Sequence, residues 1–310
     1  MSRLRRNWGS LQGHKDVLLI DAMNLAYRMA FTMGKLRHGD VGTGVIYGFV
    51  KNLKDLLERF QPKQVIIVWE GKQSRLRRKA LYPGYKAKRK SNLPIEKEDF
   101  YQQIYNLREV LYYLGIDSVE VDKLEADDTI AVLSRHFAMQ KKKVVIVSTD
   151  TDLLQLISMW VEVYSPTKEV VVHEANFHEV VGIALSDFVD YKCLVGDTSD
   201  NIPGVMGIGE VRAKSITDFM GLRMFLEQDV TTIKDKKLQH LFTPEGRAEL
   251  LLAQQLIDLS IVPESAEEVL DKVVSGRYDS DEARDLLIDY NMWSILDTWE
   301  DFTTVFGKDK

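Results

Sequence analysis

The sequence predicts an α/β fold with a mostly parallel central sheet flanked by helices. Three short apolar runs carry this reading: DVLLID from Asp16 to Asp21, VIIVWE from Val65 to Glu70, and the Val144 to Val147 core of KVVIVSTDTD. Such runs fill strands that are covered on both faces. Each finishes in or just before an acid, at Asp21, Glu70 and Asp150, with Asp152 two residues on. Segments with helical apolar spacing alternate with them, which is the order of a parallel sheet. Ligands in such sheets bind beyond the carboxyl ends of the strands. Three acids recurring at that one topological place therefore mark a candidate site.

Taken in order, NLAYRMAF after the first run opens a helix or a loop over the strand end. From Gly42 to Phe60, Val45, Phe49, Leu53, Leu56, Leu57 and Phe60 keep helical spacing, and Pro62 stops the helix. Glu96 to Leu114 is again helical, and Ile116 to Val121 is a short strand. It feeds LEADDTIAVLSRHF, where Ala126, Ile130, Leu133 and Phe137 form one stripe and Glu125, Asp127 and Asp128 crowd the first turn. Acids at a helix start suit the macrodipole in any protein. Here a second element adds Asp150 and Asp152 beside them. LLQLI continues as a helix, and Val161 to Tyr164 and Val170 to Val172 read as edge strands. His173 and His178 lack the partners of a zinc site.

At 310 residues and 45% hydrophobic composition, the chain can bury one large domain and a smaller one. A single cysteine, Cys193, excludes an internal disulfide framework and suits a reducing compartment. The basic start SRLRRNWGSLQGHK has no signal-peptide core, and no apolar run is long enough to span a bilayer. The expectation is a cytoplasmic protein, in the host cytoplasm if phage-encoded, with no membrane partner. The net charge of −6 argues against a polyanionic partner only if charge is spread evenly. It is not.

Gly71 to Ile95 holds nine basic residues and no acid, including Lys72, Arg75, Arg77, Arg78, Lys79, Lys86, Arg89 and Lys90. Tyr82 and Tyr85 lie among them across a Pro83-Gly84 turn. A charge run by itself is usually a solvated face. Cations that neutralise phosphate, interleaved with rings on which bases stack, suit single-stranded nucleic acid. In the block from Asp187 to Phe219, Asp197 and Asp200 lie three apart, sharing one face if helical, with Asn201-Ile202-Pro203 ending that helix. Gly204, Gly207 and Gly209 follow in GVMGIG. Such a turn lets backbone amides converge on an anion before a helix start, although alone it is more often structural.

Together the pieces LLIDAMNLAYR, VWEGKQSRLRRKALYPGYKAKR, EADD, STDTD and GDTSDNIPGVMGIG resemble the 5′-nuclease superfamily of phage 5′-3′ exonucleases, flap endonucleases and the 5′-nuclease domain of bacterial DNA polymerase I. They occur in family order over roughly Asp16 to Phe219. The resemblance implies a PIN-like nuclease domain over 16–183, with a helical arch at about 71–105. It also implies a helix-hairpin-helix (H3TH) duplex-binding subdomain over 184–260. A basic extension (1–15) and an acidic helical segment (261–310) would flank these. It implies one metal ion on Asp21, Glu70, Glu125, Asp127 and Asp128, and a second on Asp150, Asp152, Asp197 and Asp200. Lys86 and Arg89, assisted by Arg28, would stabilise charge on the scissile phosphate, and Tyr85 would stack on a base. Arg75, Arg78, Tyr82, Gly204, Gly207, Gly209, Arg212 and Lys214 would contact nucleic acid. The implied activity is 5′-3′ exonuclease and flap-endonuclease hydrolysis leaving a 5′-phosphate and a 3′-hydroxyl. The implied partner is DNA with a free 5′ end (flap, nick or branched duplex), with RNA-DNA hybrid as a further substrate and a monomeric enzyme. One position departs. The family usually has aspartate where this chain has Glu70, which keeps a non-catalytic flap-binding protein with a decayed site as the alternative.

Elementary electrostatics supports the metal reading independently. Two like charges about 4 Å apart repel by roughly 4 kcal/mol at an effective dielectric near 20, so converging carboxylates need cations between them. Ligation by oxygen alone selects Mg2+, with Mn2+ as a substitute. The family resemblance adds K+ at the glycine hairpin. With nine acids assigned to metal, the remainder of the chain is cationic. A Toprim-like enzyme would explain Asp150-Thr151-Asp152 but neither the basic segment nor the hairpin. A haloacid-dehalogenase-type phosphatase needs an acid where Met23 stands. The last 50 residues carry thirteen acids against five basic residues, and Leu286, Leu287, Trp293, Ile295, Leu296, Trp299 and Phe302 predict packing helices at the back of the domain.

Overall fold

The computed structural model describes residues 14–89 and 92–306. The basic extension, apart from its last two residues, and Lys90 lie outside the described residues. Seven strands form one sheet: β1 (Val17–Asp21), β2 (Gln64–Trp69), β3 (Asp117–Glu120), β4 (Val144–Val147), β5 (Val161–Ser165), β6 (Val170–Val172) and β7 (Val273–Val274). Their order is β7-β3-β2-β1-β4-β5-β6. The five inner strands are parallel, and β6 and β7 are antiparallel edges. The expected fold class holds. The edge strand β7 was not anticipated: two valines are too short a run to stand out from an acidic, helix-rich segment.

β1, β2 and β4 are apolar over most of their length because both faces are covered. Leu18, Ile20, Ile67, Trp69, Val145 and Val147 point to one core, under helices α1 (Ala22–Met33), α2 (Gly44–Phe60) and α4 (Lys97–Tyr113). Val17, Leu19, Ile66, Val68, Val144 and Ile146 point to the other, under α5 (Ala126–Met139). The basic segment supplies only the short α3 (Leu76–Leu81), followed by turns up to Lys88. Among the described residues between Leu81 and Lys97, no helix continues the expected arch. Between Leu81 and Lys97, proline, glycine and clustered like charges leave no apolar stripe to hold one.

A third core joins α6 (Phe188–Val195), α7 (Glu210–Thr217) and α8 (Pro244–Ile257) around Leu194, Ile202, Ile208, Ala213 and Leu256. Asp197 and Asp200 do not sit on a helix. The helix ends at Val195, Gly196 turns at φ +79°, and Gly196–Asp197 pairs antiparallel with Ile202–Pro203. Glycine enforces that stop because its positive φ is unfavourable for other residues. The segment expected as a helix after Asp152 is a 3-10 helix, Thr151–Leu156. The acidic carboxy-terminal segment packs Ala283, Leu287, Ile295, Phe302 and Phe306 onto the α2 and α4 side of the sheet.

Candidate active site

The carboxyl ends of β1, β2 and β4 converge on the amino terminus of α5, and the cleft between them holds about 450 Å³. Asp21, Glu70, Glu125, Asp127 and Asp150 line it together with Lys86, Arg89 and Arg75. Residues up to 129 apart in sequence thus share one mouth, because parallel strands place their carboxyl ends on one side. Local hydrogen bonds hold each acid. Asp21 caps α1 by accepting from the Asn24 amide at 3.1 Å and from Ser148 Oγ at 3.0 Å. Glu70 accepts from Ser74 Oγ at 2.7 Å and from the Ala126 amide at 3.2 Å, so it is tied to the start of α5. Asp150 caps the 3-10 helix by accepting from the Asp152 amide at 2.9 Å.

The other acids are withdrawn from the cleft. Asp128 is fully buried, accepting from Arg78 Nη1 and Nη2 at 2.8 Å each and from the Glu125 amide at 3.2 Å. Asp152 and Asp197 are bridged by Lys192, whose Nζ lies 2.8 Å from one and 2.7 Å from the other. Asp200 is paired with Arg89 and lies 3.5 Å from Lys86. Asp150 stands with Asp21 and Glu70, whereas Asp128 stands behind the cleft wall.

Several nucleic-acid assignments change. Arg78 is only 2% exposed; it bridges Glu125 and Asp128 and donates to the Leu256 carbonyl, so it cannot reach a phosphate. Tyr85 is 1% exposed, donates its hydroxyl to Glu125 at 2.8 Å and has no ring face for a base. Tyr82 is half-buried against the third core. Arg28 lies outside the acid cleft; it donates to Asn52 and lines a neighbouring hollow with Arg59 and Tyr164. Arg78, Tyr82 and Tyr85 belong to a basic, aromatic run that reads as solvated until its burial partners are known, whereas the role of Arg28 follows from the family resemblance alone.

The hairpin glycines divide by role. A Cβ on Gly204 would come 2.3 Å from the Val195 carbonyl carbon, so this glycine permits close packing. Gly207 has φ +80°, and Gly209 faces open space before α7. Arg212 is paired with Asp235 at 2.8 Å, and Lys214 is half-buried.

Residues not anticipated are Asn24, Tyr27, Tyr101 and Arg108, which line the cleft with Lys72 of the basic segment, and Lys192. Tyr27 stacks on Phe100 with ring centroids 4.9 Å apart, and burial with neighbouring Tyr101 raises its phenol to about 12. Asn24 and Tyr27 lie one helical turn apart just after Asp21, a signal legible in sequence. Nothing singles out Lys192 there.

The electrostatics fit a cation site. Burial raises Asp21 to about 6, against hydrogen bonds from Asn24 and Ser148, and raises Asp152 to about 6 against Lys192. Burial raises Asp127 well above the usual carboxylate range. Burial opposes ionisation of Asp197, but hydrogen bonds from Lys192 and Ser199 bring it down to about 2. Oxygens of Glu125, Asp127 and Asp128 all lie within 4.8 Å of one another, an all-oxygen donor set. Asp21, Glu70, Asp127 and Asp150, with Glu125 beside them, fit a divalent ion better than isolated acids fit water.

Residues 16–182 match the model of the 5′-3′ exonuclease N-terminal resolvase-like domain, and 183–274 that of the 5′-3′ exonuclease C-terminal SAM fold. The chain is 30% identical over 246 residues to a 5′-3′ exonuclease of Aquifex aeolicus, covering 79% of this chain and 82% of that one. It is 33% identical to the flap endonuclease Xni of Psychromonas ingrahamii, covering 78% and 91%. Against DNA polymerase I of Thermus thermophilus it is 34% identical over 72% of this chain but spans only 26% of that protein. A solved structure of divalent metal ions (zinc) bound to T5 5′-exonuclease shares the fold, with a TM-score of 0.67 at 22% identity over 88% of this chain and 98% of that one.

Proposed function

The chain belongs to the 5′-3′ exonuclease family, and on that premise we propose that it is a metal-dependent, structure-specific 5′ nuclease acting on DNA with a free 5′ end. The observation that carries the proposal is the shared mouth: Asp21, Glu70, Asp127 and Asp150 from four elements open on one cleft whose other wall is cationic. An acid set of this kind attracts divalent ions, and the cations admit a phosphodiester. Mg2+ is the proposed ion, with Mn2+ as a substitute. It would be held by Asp21, Glu70, Asp127 and Asp150 and, when bound, would supply water activation and leaving-oxygen stabilisation for in-line displacement. K+ at the glycine hairpin belongs to the same proposal.

The chain's own residues position the strand. Arg75, Arg89 and Lys72 are exposed at the rim and give the phosphates their first contacts. Lys86 is paired with Glu125 and approaches Asp200, so a phosphate entering the cleft competes with carboxylates for its ammonium. In that exchange Lys86 and Arg89 neutralise charge developing on the scissile phosphate. Tyr27 and Tyr101 take the stacking role once assigned to Tyr85. Open backbone at Gly209 and the start of α7 face the duplex. A monomer, acting in the cytoplasm, with RNA-DNA hybrid as a further substrate, completes the proposal.

Incubating labelled 5′-flap, nicked, blunt-duplex and RNA-DNA substrates with magnesium or with chelator is the test. Cleavage near the 5′ end only with metal is expected, and loss of that cleavage in Asp150→Asn with retained gel-shift binding. Binding without cleavage of any substrate under any divalent ion would favour the non-catalytic alternative. Glu70, whose oxygens are held by Ser74 and Ala126, is the residue that alternative rests on.

A further inference from the structure

A second cavity, of about 260 Å³, is lined by the 3-10 helix, β5 and β6 and shares Asp150, but none of the cleft's cations, with the acid cleft. Its floor is apolar, formed by Val163, Val172 and Val181. Its polar lining includes Thr151, Ser165 and Lys168, whose side chains make no hydrogen bond or ion pair among the described residues. The neighbouring hydroxyls are already committed, Ser148 to Asp21 and Thr149 to Asn24. Asp150 lines both this cavity and the acid cleft.

We infer that this cavity receives the base of a nucleotide flanking the scissile phosphate, an inference that rests on the nuclease reading above. The volume is below the ~300–1,000 Å³ of drug-sized sites, which suits a single heterocycle. Valine walls desolvate the faces of a ring, and a base is tethered to the phosphate it carries, so a cavity sharing Asp150 with the cleft is within its reach. The hydroxyls of Thr151 and Ser165 each donate or accept by rotation, and so satisfy the edges of any of the four bases. Lys168, exposed at the mouth, suits the next phosphate along the strand. Sheet order gives the path: the strand crosses the ends of β2, β1 and β4, and the cavity lies next along, at β5 and β6. The site is therefore sensitive to the presence of a base and indifferent to its identity.

An abasic scan tests this. Flap substrates carrying one abasic residue at each of the positions flanking the cut are assayed with wild type and Val181→Trp, which fills the cavity. Affinity is read by fluorescence anisotropy in calcium, and KM and kcat in magnesium. In the wild type, one abasic position next to the cut is expected to raise Kd and KM about tenfold, as loss of one stacked base does. Exchanging the four bases there should change KM by less than about twofold, because rotating hydroxyls do not discriminate. Val181→Trp should show the raised KM on intact DNA and no further abasic penalty. Should Val181→Trp lose its circular dichroism spectrum, Val180→Phe at the cavity wall replaces it. Equal affinity for every abasic substrate, or a penalty undiminished in the filled variant, overturns the inference. Absence of cleavage with anisotropy still showing the abasic penalty would instead count against the nuclease reading alone.

Discussion

At the scale of single residues, position in the fold decides whether a cation serves the substrate or the protein. Arg78 is held inside by Glu125, Asp128 and the Leu256 carbonyl. Burial works against its charge, but Asp127, Asp128 and Glu125 outweigh that and raise its pKa. Arg78→Met should cost about 3–5 kcal/mol of stability in a denaturant titration, as removal of one partner from a buried ion pair does. Unchanged stability with weakened DNA binding would restore it to the DNA surface. Lys192 has a different task, standing between Asp152 and Asp197 as an internal counter-ion. Lys192→Met should lower the thermal midpoint in chelator and recover more of it than wild type does on adding magnesium, because two facing carboxylates then accept a cation. A magnesium response no larger than that of wild type would show that no cation enters there.

At the scale of elements, the basic segment and the glycine hairpin form one unit. Asn201 Nδ2 donates to the Gly84 carbonyl at 2.7 Å, and the Lys86 amide donates to the Asp200 carbonyl at 2.7 Å. Lys86 itself lies at φ +53°, an uncommon conformation for lysine that these contacts hold. The cleft cations are thus set by the same turn that carries Asp197 and Asp200. The hairpin glycines separate packing from binding. Gly204→Ala should destabilise the protein, because backbone at Val195 cannot give way, and cleavage should fall with it. Gly209→Ala meets no neighbour, so its thermal midpoint should match wild type while duplex affinity falls in a gel shift. Equal affinity in that variant would remove Gly209 from the duplex contact.

At the scale of the whole molecule, the cost of gathering acids appears as a pH dependence. Asp21 and Asp152 titrate near 6 in the fold, above the ordinary 3.8, so the native state binds their protons before the unfolded chain does. Stability of the metal-free protein therefore rises as pH falls through about 6 toward 4. Asp197 acts oppositely: its contribution is present above 3.8 and is lost as pH falls toward about 2. In chelator the thermal midpoint should increase from pH 7 to pH 5, and millimolar magnesium should flatten or reverse that trend. A midpoint that falls over this interval without metal would mean the acids are not crowded. Among the described residues, no helix is long and apolar enough to cross a membrane.

The sequence alone determined the central strands β1, β2 and β4, because a strand covered on both faces must be apolar over most of its length; the edge strand β7 came only with the fold. It also determined which acids stand at strand ends, since Asp21 and Glu70 close their runs and Asp150 comes three residues after Val147. Tertiary structure decided what each charge faces. Arg75 and Arg78 sit three apart in one basic run, yet one lines the open cleft and the other is enclosed by α5 and α8, elements from distant parts of the chain. Asp127 and Asp128 are adjacent, and successive side chains on a helix diverge by about 100°. One faces the cleft and the other becomes a buried partner of arginine. Local spacing records a residue's direction on its own element, whereas burial and charge partners are supplied by elements that meet it only on folding.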